Sequence, residues 1–301
     1  NSHVMVVVFG IAITLAAVRL RYVQLASVLK WLALVLAAYV VTAFLARPNW
    51  GQVLRDAVVP SLPSGRGGWS TLVAILGTTI SPYLFFWQAS QEVEEERAMG
   101  RLMLIHRRGA TKRELLDRRL DVGTGTFFSN LVMFFIILAT ALTLHAHGKT
   151  HVETSRQAAE ALAPVAGRWA SSLYTLGIFG VGFLAIPTLS GSAAYAFAET
   201  FNWREGLDRK PRRAWEFYSI VVLSTALGIL LDFLRVNAMK ILFGSAVING
   251  LLAPFLLVAI LILASDAKTM QNQPSPRLTR IVVGLTTLLM FAAAVGMFVF
   301  R

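Results

Sequence analysis

Long apolar segments, separated by shorter polar stretches, follow one another along nearly the whole chain. A helix needs about 20 apolar residues to cross a bilayer, and most of these segments approach that length. The pattern predicts an all-α polytopic membrane protein in which residues 1–301 form a single transmembrane domain. Its eight candidate spans are residues 4–18, 24–46, 70–91, 124–146, 170–198, 215–234, 241–264 and 280–300.

The third span contains a polar interruption, GTTISPYLFFWQASQEVEEE, over residues 77–96. A proline lacks the backbone N–H and clashes with the carbonyl four residues earlier, so carbonyls near Thr78 lose their helical partners. Freed carbonyls and nearby hydroxyls can coordinate a hard cation, as broken helices of transporters do near the bilayer midplane. A proline kink repaired by Thr or Ser hydroxyls is the alternative. The predicted break lies at Gly77 and Pro82, and the ion ligands are predicted to be Thr78, Thr79 and Ser81.

Further polar residues extend this candidate site. Asn130 lies among apolar residues of the fourth span, where it can bond a neighbouring helix or face an ion path, and we include it among the predicted ligands. The acidic residues after the break either concentrate cations at an exit or pair with arginines at a solvated helix end. The predicted pathway residues are Tyr83, Gln88, Gln91, Glu92, Glu95 and Asn249.

Membrane topology accounts for the net charge of +12. Of the 28 lysines and arginines, 18 fall on one side of the predicted spans and nine on the other. Basic residues accumulate in cytoplasmic loops, so residues 97–119 are predicted to be cytoplasmic, with an amphipathic surface helix over residues 97–120. This surface attracts anionic membrane lipids and requires no nucleic-acid partner.

Composition and motifs exclude several other functions. The chain has no cysteine, so it forms no disulfide and no thiolate metal site. His145, His147 and His151 have a spacing that can bind a transition metal, although no acid or cysteine completes the set. There is no P-loop, nucleophile elbow or HExxH motif, so we do not expect an enzyme. The N-terminus lacks a signal peptide, and the chain is expected to begin within a longer protein.

Five stretches of the sequence resemble one transporter family. They are RYVQLASVLKWLALVLAAYVVTAFLARPNWGQVLRDAVVPSLP, TTISPYLFFWQASQEVEEE, DVGTGTFFSNLVMFFIILATALTLHAHG, LSGSAAYAFAETFNWREGLDRKP and SAVINGLLAPFLL. Together they resemble the Nramp family of divalent metal transporters, and most closely its magnesium-transporting branch. The resemblance implies the APC-superfamily fold of 5+5 inverted repeats, in which a metal is held between the unwound middles of the first and sixth helices.

Two departures from the family pattern affect the expected site. By the resemblance, the chain corresponds to family helices 4 to 11 and looks N-terminally truncated, so the Asp-Pro-Gly-Asn-like segment of the first helix, with its membrane-embedded carboxylate, is absent. In addition, Ser81-Pro82-Tyr83 stands where metal-transporting members have Met-Pro-His. Hydroxyl and carbonyl oxygens favour hard ions such as magnesium and manganese over soft metals. Loss of the histidine also removes a titratable group.

The sequence therefore supports one function hypothesis and two alternatives. In the first, the protein moves Mg²⁺, and also Mn²⁺, across a bacterial inner (plasma) membrane by alternating access, with these cations and membrane lipids as partners and no permanently bound cofactor. A sodium-coupled carrier of a small organic solute on the same fold is the first alternative, supported by the aromatic, carboxylate-poor surroundings of Tyr83, Phe86 and Trp87. The second is a non-transporting membrane scaffold or fragment.

Overall fold

All regular secondary structure in the described residues is helical. The computed structural model describes residues 2–19, 36–59, 61, 63, 65–149, 152, 154–207, 209 and 211–300. Short 3₁₀ turns connect several of the helices. The α-helices are α1 (Ser2–Arg19), α2 (Ala37–Leu45), α3 (Trp50–Val58), α4 (Gly65–Thr79), α5 (Pro82–Ala98), α6 (Lys112–Thr143), α7 (Ser155–Ala159), α8 (Ala163–Ala166), α9 (Ala170–Phe201), α10 (Trp215–Phe233), α11 (Ala238–Ser265) and α12 (Arg277–Val299).

Within the described ranges, six segments are long and apolar enough to cross a membrane. They match the third to eighth predicted spans, and the chain is therefore an integral, all-helical membrane protein. The first predicted span falls in α1, whose apolar stretch His3–Leu15 is shorter. Most of the second predicted span, residues 24–35, lies outside the described residues. The six segments are Gly67–Ala98, Lys112–His147, Gly167–Phe201, Trp215–Phe233, Ala238–Ser265 and Arg277–Val299.

The first of two compact units comprises residues 1–60 and 122–239, and α9 and α10 form its centre. Tyr195 of α9 is buried and meets the ring of Phe217 of α10 edge-on, with 4.9 Å between the ring centroids. The Tyr195 hydroxyl accepts a hydrogen bond from the backbone nitrogen of Leu207 at 3.2 Å, and the Tyr218 hydroxyl donates to the Leu207 carbonyl at 3.0 Å. These hydrogen bonds of the two tyrosines therefore hold the connection between α9 and α10 against both helices.

The second unit comprises residues 61–121 and 240–301, and it contains α4, α5, α11 and α12. Val73 of α4 is buried against Ala293 of α12. The Trp69 indole stacks on Phe300 with 5.3 Å between centroids, and a Cβ added to Gly296 would lie 2.5 Å from that indole. The absence of a side chain at position 296 therefore allows α12 to lie directly against the tryptophan ring.

Prolines inside the spanning segments have different consequences. Pro187 lies within α9 and Pro254 within α11, and both helices continue past them. In contrast, α4 ends at Thr79 and α5 begins at Pro82. A proline in a helix interior costs one backbone hydrogen bond, which a surrounding bundle can tolerate, so the proline alone does not determine where a span breaks.

Residues 97–120 do not form the single amphipathic helix that the sequence predicted. Helix α5 ends at Ala98, and Gly100 adopts the left-handed backbone conformation with φ of 88°. The backbone nitrogen of Arg101 then donates to the carbonyl of Glu96 at 3.0 Å, a bond that belongs to the Schellman motif at helix ends. The prediction was wrong because the leucine and charge spacing fitted a helix whereas the glycine terminates it.

A new helix starts after residues 99–111, which we call the connecting loop. The Thr111 hydroxyl accepts a hydrogen bond from the backbone nitrogen of Glu114 at 3.2 Å, and the Glu114 carboxylate accepts one from the backbone nitrogen of Thr111 at 2.7 Å. This reciprocal pair is a capping box, which satisfies two backbone donors at the start of a helix. It explains why α6 begins at Lys112.

Candidate functional site

The break between α4 and α5 consists of Ile80 and Ser81. The backbone nitrogen of Ile80 still donates to the carbonyl of Leu76 at 2.8 Å, whereas Ser81 is extended with φ of −83° and ψ of 118°. An extended conformation is the one that a residue before proline prefers. Pro82 then occupies the first turn of α5, where its missing N–H is not needed. The predicted discontinuous helix is confirmed.

The hydroxyl groups at the break donate to carbonyls of the preceding helical turn. The Ser81 hydroxyl donates to the Gly77 carbonyl at 3.1 Å and to the Thr78 carbonyl at 2.9 Å. The Thr78 and Thr79 hydroxyls donate to the carbonyl of Ile75 at 2.9 and 2.7 Å. Repair of the kink by hydroxyl groups is thus present. A hydroxyl that donates its proton keeps two lone pairs, so the same oxygens remain chemically capable of binding a cation.

The two sides of the break differ in their surroundings. Ile80 packs against a cluster formed by Ala253 and Leu257 of α11 and Met290 of α12. Ser81 is also buried, with 3% of its surface exposed, while Thr78 and Thr79 are exposed. The apolar contact of Ile80 therefore anchors the break within the second unit. The side chains of Thr78 and Thr79 lie on the exposed side of the break.

Helices α4 and α11 approach each other through their backbones beside the break. A Cβ on Gly77 would lie 2.2 Å from the carbonyl oxygen of Ala246, and one on Gly250 would lie 2.2 Å from the carbonyl oxygen of Val73. Glycine at both positions makes this approach possible. Asn249, which precedes Gly250, is half-buried and lies on α11, the helix that approaches α4 beside the break.

The predicted pathway residues of α5 differ in their partners and in their exposure. The Gln88 amide donates to Glu92 at 2.8 Å, and Glu92 forms an ion pair with Arg118 of α6. Glu95 is exposed, while Tyr83 and Gln91 are half-buried.

Glu92 belongs to a network of ion pairs that joins the end of α5 to the start of α6. Arg118 also lies 4.0 Å from Glu96, Arg101 lies 3.8 Å from Glu96, and Arg101 donates to Glu114 at 2.5 Å. These side chains are between 17% and 31% exposed, so solvent screens the pairs only in part. Two of the four acids at this end of α5, Glu92 and Glu96, are therefore paired with arginines. The sequence predicted pairing with arginines at this helix end as one alternative but did not identify Arg118 as a partner.

Asn130, the fourth predicted ligand, lies in α6 and belongs to the first unit, whereas the break belongs to the second. It is half-buried, and its amide nitrogen donates to the carbonyl of Thr126 at 2.8 Å. That bond directs the amide nitrogen to its own helix, and the amide oxygen is the atom that would bind a cation.

Carboxylates are distant from the break along α5. Glu92 follows Ser81 by eleven residues, which is about 16 Å of helix. Among the described residues, no group of three or more His, Asp or Glu side chains could hold a metal ion. A Nδ1 contact of 2.7 Å joins His147 to the carbonyl of Thr143, and His151 lies outside the described residues. The oxygens at the break itself are thus those of neutral carbonyl and hydroxyl groups.

Ser90 is a polar residue that the sequence analysis passed over. It lies on the buried face of α5 with Trp87, and its surface is 5% exposed. Its hydroxyl oxygen has no hydrogen-bond partner among the described residues. The three-residue spacing from Trp87 is the signal that would have placed it on the buried face.

Comparisons with known proteins agree with this architecture. Residues 1–300 match the family described as natural resistance-associated macrophage protein-like, or Nramp. The divalent metal cation transporter MntH of Caldanaerobacter subterraneus subsp. tengcongensis is 24% identical over 252 residues, which cover 83% of this chain and 55% of the relative. MntH of Clostridium acetobutylicum is 24% identical over 249 residues (81% and 52%), and MntH of Aeromonas hydrophila subsp. hydrophila is 24% identical over 273 residues (87% and 61%). The chain thus spans little more than half the length of these relatives.

Proposed function

Because this chain belongs to the Nramp family, we propose that it moves divalent cations across a bacterial plasma membrane, with magnesium as the preferred ion and manganese as the second. The relatives carry the name of divalent metal cation transporters. The single observation that carries the proposal is the interruption at Ile80 and Ser81, where backbone and hydroxyl oxygens of one span are concentrated. Alternating access is the mechanism by which such broken helices expose an ion to each side in turn.

The preference for a hard ion follows from the donor atoms. The proposed ligands are the Thr78 carbonyl and the Thr79 and Ser81 hydroxyls, all within the second unit. Asn130 lies in the first unit, and its role as a ligand stays a prediction from the sequence. The proposed ligand atoms are oxygens, which suit magnesium, manganese or calcium, whereas a methionine sulfur would favour softer transition metals. Magnesium gives up its water ligands reluctantly and is usually bound with several of them. A site of neutral oxygens is therefore better matched to a partly hydrated ion than to a bare one.

Uptake by the reconstituted protein in liposomes tests this proposal. The wild type should take up Mg²⁺ in preference to Cd²⁺, and Ser81→Met should shift the ratio toward Mn²⁺ and Cd²⁺ by roughly tenfold, since a thioether then faces the ion. Ser219→Met is the matched control, because Ser219 is an exposed residue of α10 in the other unit. Identical ion ratios for Ser81→Met and the control would contradict the assigned ligands.

The sodium-coupled carrier remains the second candidate, because the break offers neutral oxygens and the half-buried ring of Tyr83. The same liposomes distinguish the two functions. A sodium gradient that drives uptake of an organic solute, without flux of any divalent cation, would favour the carrier.

A further inference from the structure

The connecting loop presents five apolar side chains that are between 60% and 72% exposed: Met99, Leu102, Met103, Leu104 and Ile105. The loop joins two membrane-spanning segments, Gly67–Ala98 and Lys112–His147, so it lies at the level where a bilayer ends. We propose that this loop docks on an anionic phospholipid surface, with these five side chains inserted beneath the headgroups and basic side chains at the level of the phosphates.

The polar anchors of the loop hold it in a defined conformation. Arg101 lies between the apolar residues, and it donates to Glu114 at 2.5 Å and reaches Glu96 at 3.8 Å. At the far end, the Gln273 side chain accepts from the backbone nitrogen of Ala110 at 3.2 Å and donates to its carbonyl at 3.0 Å. The loop is thus tied to α5, to α6 and to the α11–α12 connection while its apolar side chains remain uncovered.

The charge around the apolar side chains is predominantly positive. Arg108, Lys112 and Arg119 are exposed. Among the nearby acids, Glu96 and Glu114 contact Arg101 and Asp117 lies 4.0 Å from Arg113, whereas Glu95 is exposed. Apolar side chains that insert into a membrane and basic residues that attract anionic headgroups are the two components of interfacial membrane binding. An anionic bilayer satisfies both, and this charge complementarity is why we choose lipid over a second protein segment.

A single fluorescent label can test the docking, because the chain contains no cysteine. Leu104→Cys, labelled with an environment-sensitive dye, is reconstituted in vesicles of phosphatidylcholine alone or mixed with phosphatidylglycerol. We expect emission to shift to the blue, and quenching by bilayer-embedded quenchers to rise, as the share of phosphatidylglycerol increases. High salt should weaken both effects because it screens the headgroup charge.

Removal of charge from the loop provides the decisive comparison. Arg108→Gln with Lys112→Gln should lower the ratio of docked to undocked loop about fivefold for each charge removed. Arg212→Gln with Arg213→Gln is the matched control and should leave the signal unchanged, since these exposed arginines lie in another connection.

Three results would overturn the proposal: quenching by aqueous iodide in every lipid mixture, protection from both quenchers because protein covers the dye, or lipid quenching that does not depend on phosphatidylglycerol. None of these readouts involves ion transport, so the outcome is independent of the proposed function.

Discussion

The backbone contact between α4 and α11 gives the sharpest stability prediction, for the variant Gly77→Ala. The added methyl group would lie 2.2 Å from the carbonyl oxygen of Ala246 and 2.3 Å from the backbone nitrogen of Gly250. Comfortable non-bonded contacts between carbon atoms are about 3.5–4.0 Å. Backbone atoms cannot rotate aside as the end of a flexible side chain can, so the two helices must move apart.

Two opposing terms determine the size of the effect. Overpacking costs about 1–3 kcal/mol, and the upper end applies because the atoms in contact are backbone. Alanine in place of glycine within a helix returns about 1 kcal/mol, which leaves a net destabilisation of about 2 kcal/mol. Gly244→Ala is the matched control, since position 244 lies in α11 and, apart from its chain neighbours and the backbone of its own helix, no atom lies within 4 Å of the added methyl group. This control gains the helix preference of alanine without the cost of overpacking. The free energies of unfolding of the two variants should therefore differ by about 3 kcal/mol.

Apparent unfolding temperature is the suitable assay, measured in detergent by fluorescence-detected size-exclusion chromatography after heating. Gly77→Ala should unfold roughly 5–10 °C below Gly244→Ala. Because Gly77 lies four residues before Ser81, Gly77→Ala should also weaken divalent cation binding at the break. Equal unfolding temperatures for the two variants would refute the backbone contact.

The remaining predictions concern charged groups outside the break. Glu92→Gln should destabilise the protein by about 1 kcal/mol, because it leaves the partly buried Arg118 with a weaker partner. Arg113→Gln should have no measurable effect, since the Arg113 side chain is 91% exposed; equal losses in the unfolding temperatures of these two variants would contradict the ion-pair network. Hydrogen bonds from the Thr269 side chain, and then from the backbone of residues 269 and 268, lower the pKa of Asp266. Stability from this turn is therefore present above the ordinary aspartate pKa and is lost as the pH falls through the lowered value. The protection of residues 266–270 from hydrogen exchange, taken relative to the intrinsic exchange rate at each pH, should fall on acidification below about pH 4. Asp266→Asn should abolish that fall, and an unchanged acid response in the variant would contradict the prediction.

Local features explain why the interrupted helix could be predicted from sequence. Ser81 precedes Pro82, and this dipeptide disfavours the helical conformation at the serine through contacts within two residues. The apolar lengths of the spans are equally local. The sequence did not reveal why Pro187 and Pro254 leave their helices continuous, because neighbouring helices determine whether a proline is tolerated.

Contacts between distant residues account for what the sequence missed. Glu92 pairs with Arg118, which lies 26 positions later in the chain and is one of many arginines in that region. The approach of Gly77 to Gly250 joins two spans separated by most of the chain. The signals for the connecting loop were present in the sequence, as Gly100 after a helical stretch and as Thr111 followed by Glu114 three residues later. A capped helix end has its terminal backbone groups hydrogen-bonded, and the spacing of leucines carries no information about these groups. The capping signals therefore determine where the helices end and begin.

The central claim, that oxygens at the break hold a hard divalent cation, is tested most directly by a structure of the membrane-reconstituted protein with bound Mn²⁺, located by its anomalous scattering. We predict a peak about 2.0–2.6 Å from the Thr78 carbonyl oxygen and the Ser81 hydroxyl, and a lower peak in competition with Mg²⁺. A peak elsewhere, or a helix that runs unbroken through Ser81 without a peak, would contradict the account.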